Sequence, residues 1–186
     1  MALSNEETLL KNAKHAYERG RLRAAWPALL PVGILVIISL ALGAYTAGTL
    51  VMGALLAMAM VGASWRGQSL GRGARTGAFV GLVPFGAGLS VTKLGHCCLG
   101  AVCYDLCLPL CVGGGLAAGA LIAWRTATLD TERLPTFAAQ VTTASLVGGL
   151  GCLCVGLVGL LGLAGGMAVF GLPTAAWLAV SQGRRT

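Results

Sequence analysis

Past Arg23 the chain alternates between long stretches with no charged side chain and short stretches that collect nearly all the charge. The charge-free stretches are 24–65, 76–92, 106–124 and 134–183. A helix needs about 20 predominantly apolar residues to cross the hydrocarbon core of a bilayer. The two short stretches, 76–92 and 106–124, therefore predict one helix each, and the two long ones predict two each, joined by tight turns. The spans fall near 26–44, 48–65, 77–93, 105–124, 136–153 and 157–179. Open strands are excluded, because lipid would leave their backbone groups unpaired, and a barrel would read as short alternating segments. The expected fold is an all-α polytopic membrane helix bundle of six transmembrane helices in three hairpins. Residues 1–24 form a cytoplasmic amphipathic N-terminal helix, 25–182 the transmembrane domain and 183–186 a cytoplasmic tail.

Composition supports this reading. Of 186 residues, 56% are hydrophobic and only 10% charged, and the mean hydropathy is +0.83. A soluble domain carries about 25% charged residues, so a soluble enzyme fold and a disordered chain are both excluded. The charge also orients the bundle. Lys11, Lys14, Arg19, Arg21 and Arg23 precede the first span, Arg66, Arg72 and Arg75 follow the second, Arg125 and Arg133 follow the fourth, and Arg184 and Arg185 end the chain. Twelve of the thirteen basic residues thus share one side, with Lys93 on the other. The positive-inside rule makes that side cytoplasmic, with both termini inside. Trp26, Trp65, Trp124 and Trp177 fall near the inner helix ends, where indole suits the interface, and Tyr45 and Tyr104 near the outer ends.

The N-terminal segment is too polar at its start for a cleaved signal peptide, which runs from a short basic region directly into an apolar one. Ser4 and Glu7 have capping-box spacing. Leu9, Leu10, Ala13 and Tyr17 then make a weakly apolar face opposite Lys11, Lys14 and Glu18. Two readings follow: an interfacial helix on anionic headgroups, or a docking helix at residues 4–20 for a soluble cytoplasmic protein. His15 reads as a solvated surface residue.

Within the spans, Gly115 and Gly119, Gly162 and Gly166, and Ala144 and Gly148 have the small-xxx-small spacing of closely approaching helices. Pro31, Pro84, Pro109 and Pro173 each remove a backbone bond within a span, while Pro27 and Pro135 sit near helix starts. No charged residue falls mid-span, which speaks against proton relays, voltage sensing and ion pathways. Gly71 and Gly73 belong to a basic loop, RGQSLGRGARTG, that lacks the preceding strand a phosphate loop requires. Asp130 and Glu132 read as a solvated turn. No hydrolase or metalloprotease motif appears, so no enzymatic activity and no cofactor are expected. Positive-inside topology accounts for the basic patches without a nucleic-acid partner.

The cysteines share one address. Cys97, Cys98 and Cys103 fall in the second outer loop, Cys107 and Cys111 at the start of the fourth span, and Cys152 and Cys154 at the third outer turn. Cysteine acting only as a small apolar residue would be scattered. Three causes compete: disulfides in an oxidising compartment, a redox- or metal-responsive thiol cluster, and inert packing. All seven are disulfide candidates, and at least two disulfides are expected in the resting protein, one of them joining Cys152 or Cys154 to the 97–111 group. Cys103, Cys107 and Cys111 lie i, i+4, i+8 on one helix face, over which His96, Cys97 and Cys98 could fold, and thiolate with imidazole suits a soft metal ion. No CxxC is present. The vicinal Cys97–Cys98 pair is similar to that of mercuric-ion transporters, but the inner-side cysteines of that family are missing.

Six helices, a short cytoplasmic helix running through RGRLRAAWPALL into the first span, and outer-face cysteines together resemble a family of bacterial membrane anti-sigma factors. The resemblance implies a regulatory protein of the inner membrane, in which the N-terminal segment holds a soluble partner and the outer cysteines respond to redox or metal. The alternatives from the residues themselves are a thiol–disulfide or heavy-metal-handling membrane protein, either a quinone-linked oxidoreductase or a metal transporter, and a structural subunit of a membrane complex.

Overall fold

The computed structural model describes residues 11–13, 15–16, 19–20, 26, 29–42, 46–93, 102–128, 133–153 and 156–183. Among these residues the secondary structure is helical throughout. Six helices carry the fold: α1 (Leu29–Ala41), α2 (Thr46–Arg66), α3 (Gln68–Lys93), α4 (Val102–Ala127), α5 (Arg133–Cys152) and α6 (Leu157–Gly183). The described residues between 11 and 20 are helical and exposed. Ser4, Glu7, Leu9, Leu10 and Tyr17 lie outside the described residues.

The helices fall where the charge-free stretches predict them, with one correction. The basic stretch after Arg66 is not a loop. Only Gly67 interrupts the helices there, at φ 150°, and α3 starts at Gln68. Gly71, Arg72, Gly73 and Arg75 are therefore helical. At the turn between α5 and α6, Gly156 takes φ 80°.

Among the described residues, three helices are by themselves long and apolar enough to cross a membrane, where the sequence predicts six: Thr46–Arg66, Leu108–Ala127 and Leu157–Ser181. α1 is apolar but has 13 residues. α3 opens with Arg72 and Arg75 and is rich in glycine, and α5 carries Thr136, Gln140, Thr142, Thr143 and Ser145. Packing explains the difference. α3 and α5 make the most extensive helix pair, followed by α4 and α6. A helix buried against other helices does not need the continuous apolar surface that lipid demands, and small or hydroxyl-bearing residues favour close approach.

Both principal pairs run parallel. Gly73 abuts Thr136, Gly77 Gln140, Gly81 Ala144 and Gly88 Gly151, so every step along α3 is matched by an equal step in the same direction along α5. Gly115 abuts Gly166 and Gly119 Phe170, and α4 and α6 keep step in the same way. The α3–α4 and α5–α6 hairpins thus lie side by side, each helix against its counterpart. This puts the starts of α3 and α5 and the ends of α2, α4 and α6 at one end of the bundle. Arg66, Arg72, Arg75 and Arg125 are exposed there. Trp65, Trp124 and Trp177, near the ends of their helices, are exposed as well.

Glycine makes these approaches possible. A methyl group at Gly88 would lie 2.7 Å from the Gly151 carbonyl oxygen, and one at Gly115 2.5 Å from that of Leu163. At Gly77 it would overlap the Gln140 carbonyl and the Thr143 hydroxyl. Pro84, fully buried in α3, fills the space left by Gly114 of α4 and Gly148 of α5. All three small-xxx-small pairs lie at helix contacts: Gly162 meets Cys111 and Val112, Gly148 meets Pro84 and Leu163, and Ala144 meets Gly81. Pro31 falls in the first turn of α1, where its missing N–H costs little.

Candidate functional site

The described thiols meet at the end of the bundle away from the arginines. Cys111 lies in the third turn of α4 and Cys152 is the last residue of α5. Their thiols are within hydrogen-bonding distance, sulfur to sulfur 3.2 Å, with no disulfide between them. Both are buried, Cys111 at 2% exposure and Cys152 at 0%, in a cluster with Leu163 and Met167 of α6. The helix packing sets this geometry: a methyl group at Gly162 would sit 3.7 Å from the Cys111 Cβ, so α6 presses closely behind the thiol. A disulfide requires the sulfurs to close by ~1.2 Å, from 3.2 Å to about 2.05 Å. The sequence leads to a bridge between Cys152 or Cys154 and the 97–111 group; the structure places Cys152 against Cys111 as thiols and holds no disulfide between them.

Cys103 and Cys107 lie on the backbone of α4, two turns and one turn before Cys111, and their side chains are outside the described set. His96, Cys97, Cys98 and Cys154 fall outside the described residues. Among the described residues no three His, Cys, Asp or Glu side chains converge as a metal site. Of the six ligands expected for a soft metal ion, only Cys111 has a described side chain.

Nearer the arginine end is a polar contact that sequence reasoning overlooked. Gln140 of α5 is buried at 2% exposure, and the Thr126 hydroxyl of α4 approaches its Oε1 at 3.4 Å while donating to the Ile122 carbonyl at 2.8 Å. A signal was available: Gln140 is an amide inside the charge-free stretch 134–183. Other hydroxyls turn back on their own helices, as Thr143 does to Ala139 and Ser64 to Met60. Back-bonding of this kind satisfies a hydroxyl where water is missing.

The architecture defines an α-helical protein that has, among the described residues, three helices long and apolar enough to span a membrane. Comparison of the chain with family models, with curated proteins and with solved structures finds no match.

Proposed function

We propose that the chain is a bacterial inner-membrane regulatory protein without enzymatic activity, crossing the bilayer six times with both termini cytoplasmic. Its outer thiols respond to redox or metal, and its N-terminal helix at residues 4–20 engages a soluble cytoplasmic partner, as in the anti-sigma factors that the sequence resembles. The observation that carries the reading is the contact between Cys111 and Cys152, at 3.2 Å. Two-electron oxidation of the pair forms one S–S bond and releases two protons. Because both sulfurs are buried in an apolar cluster, a lipid-soluble acceptor fits better than a soluble protein. A membrane quinone takes up the two electrons and two protons as it becomes a quinol. The bond joins α4 to α5 and so links the two parallel hairpins covalently.

Acid-quenched thiol mapping of the full-length protein in its native membrane tests this. Oxidant treatment is expected to yield a Cys111–Cys152 bridge that dithiothreitol reverses. Retention of both thiols under oxidant would overturn the redox reading, and a stoichiometric soft metal would replace it. Affinity capture with segment 1–24 as bait tests the second half, since a regulator should retain one soluble protein. The same mapping separates a sensor from a thiol oxidoreductase, which would turn over repeatedly with a dithiol substrate.

A further inference from the structure

A cleft of about 430 Å³ opens between α1, α2 and α3 near the arginine-bearing end of the bundle. Ile34 and Leu35 of α1, Met60 of α2, and Phe79 and Leu82 of α3 line it, and its one charged wall is Arg75. The volume lies within the range of about 300–1,000 Å³ usual for small-molecule sites. Its polarity is lopsided, with a guanidinium at one end and hydrocarbon elsewhere. Phe79 is 74% exposed and Ile34 56%, so the cleft opens sideways through apolar walls rather than toward water.

Arg75 sits two turns into α3, one turn after exposed Arg72, and lines the cleft beside Met60 of α2. At ~1.5 Å rise per residue its backbone lies roughly two turns in from the ends of α2 and α3, and the long Arg side chain reaches the headgroup level by snorkelling if α2 crosses the bilayer. The chain has thirteen basic but six acidic side chains, so carboxylates cannot neutralise every cation. A guanidinium recognises phosphate through paired hydrogen bonds, and basic pockets between helices on the cytoplasmic side suit anionic headgroups. A water-soluble anion would satisfy Arg75 but leave the apolar walls unmatched.

We propose that this cleft binds one anionic phospholipid, with its phosphate on the Arg75 guanidinium and an acyl chain along Met60, Phe79 and Leu82. The site rests on membrane insertion but not on the thiol chemistry, so either proposal can fail without the other. The test is native mass spectrometry of the full-length protein in detergent micelles, supplied with phosphatidylglycerol or phosphatidylcholine of equal chain length. One retained phosphatidylglycerol, several-fold preferred over phosphatidylcholine, is expected. Arg75→Gln should reduce it to the phosphatidylcholine level, and Arg75→Lys should restore part of the preference. Ala78→Leu, which narrows the cleft without altering its charge, should weaken retention of both lipids. Arg125→Gln, at an exposed cation outside the cleft, should leave the preference unchanged. Equal retention of the two lipids, or an unchanged preference in Arg75→Gln protein that elutes as wild type, would overturn the proposal.

Discussion

Glycine at a few positions decides whether the two hairpins can meet. At Gly77 and Gly81 the obstacle to a side chain is neighbouring backbone, the carbonyls of Gln140 and Ala144, which cannot swing aside as a flexible side chain would. Gly86 and Gly171 have open space at the Cβ position. Gly81→Val should therefore destabilise the protein by about 1–3 kcal/mol, the usual range for overpacking a tight contact. Gly171→Ala should stay within about 0.5 kcal/mol of wild type, as at other unconstrained surface positions. Thermal unfolding of the two variants in detergent, followed by loss of the monodisperse chromatographic peak, checks the contrast. Equal midpoints would show that the α3–α5 contact is not tight. Small-residue spacing in the sequence marked Gly115, Gly119, Gly162, Gly166, Ala144 and Gly148, all at contacts, yet it passed over Gly77 and Gly81 despite their i, i+4 spacing. Those two lay next to a basic stretch read as loop, and the contact is defined by α5 rather than by anything within α3.

At the level of the helix, charge-free run length was a sufficient guide to where helices occur, because a polar residue in a lipid-facing span is costly wherever it falls. It was a poorer guide to what each helix faces. α3 and α5 read as ordinary spans, but they form the inner pair and carry polar groups that lipid-facing helices avoid. Gln140 illustrates the difference. Replacing it with Leu removes a buried amide, and Thr126 keeps its bond to the Ile122 carbonyl, so no acceptor or donor on the Thr126 side is stranded. Interhelical hydrogen bonds in membrane bundles average only about 0.6 kcal/mol. Gln140→Leu is accordingly expected to change stability by no more than about 1 kcal/mol in chemical unfolding. A loss of several kcal/mol would mean that the amide holds the α4–α5 contact together. Thr126→Val should behave similarly, and the double variant should show little coupling beyond the sum of the two.

For the whole molecule, the parallel pairing of the hairpins constrains topology independently of charge. If α3 and α5 run parallel and adjacent, and α4 and α6 likewise, then Gly67 and Thr128 belong to the same end of the bundle and Gly156 to the other. The distribution of arginine gives that same division from an unrelated physical cause, the bias against translocating Lys and Arg. The sequence could not supply the pairing itself, since the register of α3 on α5 and of α4 on α6 arises from side-chain fit between distant segments. It could supply the sidedness, which the helix packing leaves open. Fusion reporters join the two lines of argument. Green fluorescent protein placed after Gly67 or Thr128 should fluoresce, and alkaline phosphatase at Gly156 should be active. The opposite pattern at all three positions would preserve the packing and invert the orientation, placing the thiol pair in the reducing cytoplasm, where disulfides are rare, and removing the basis for a resting bridge. A mixed pattern, with Gly67 and Thr128 on different sides, would break the parallel arrangement of α3 and α5 and with it the α4–α5 geometry that brings Cys111 to Cys152.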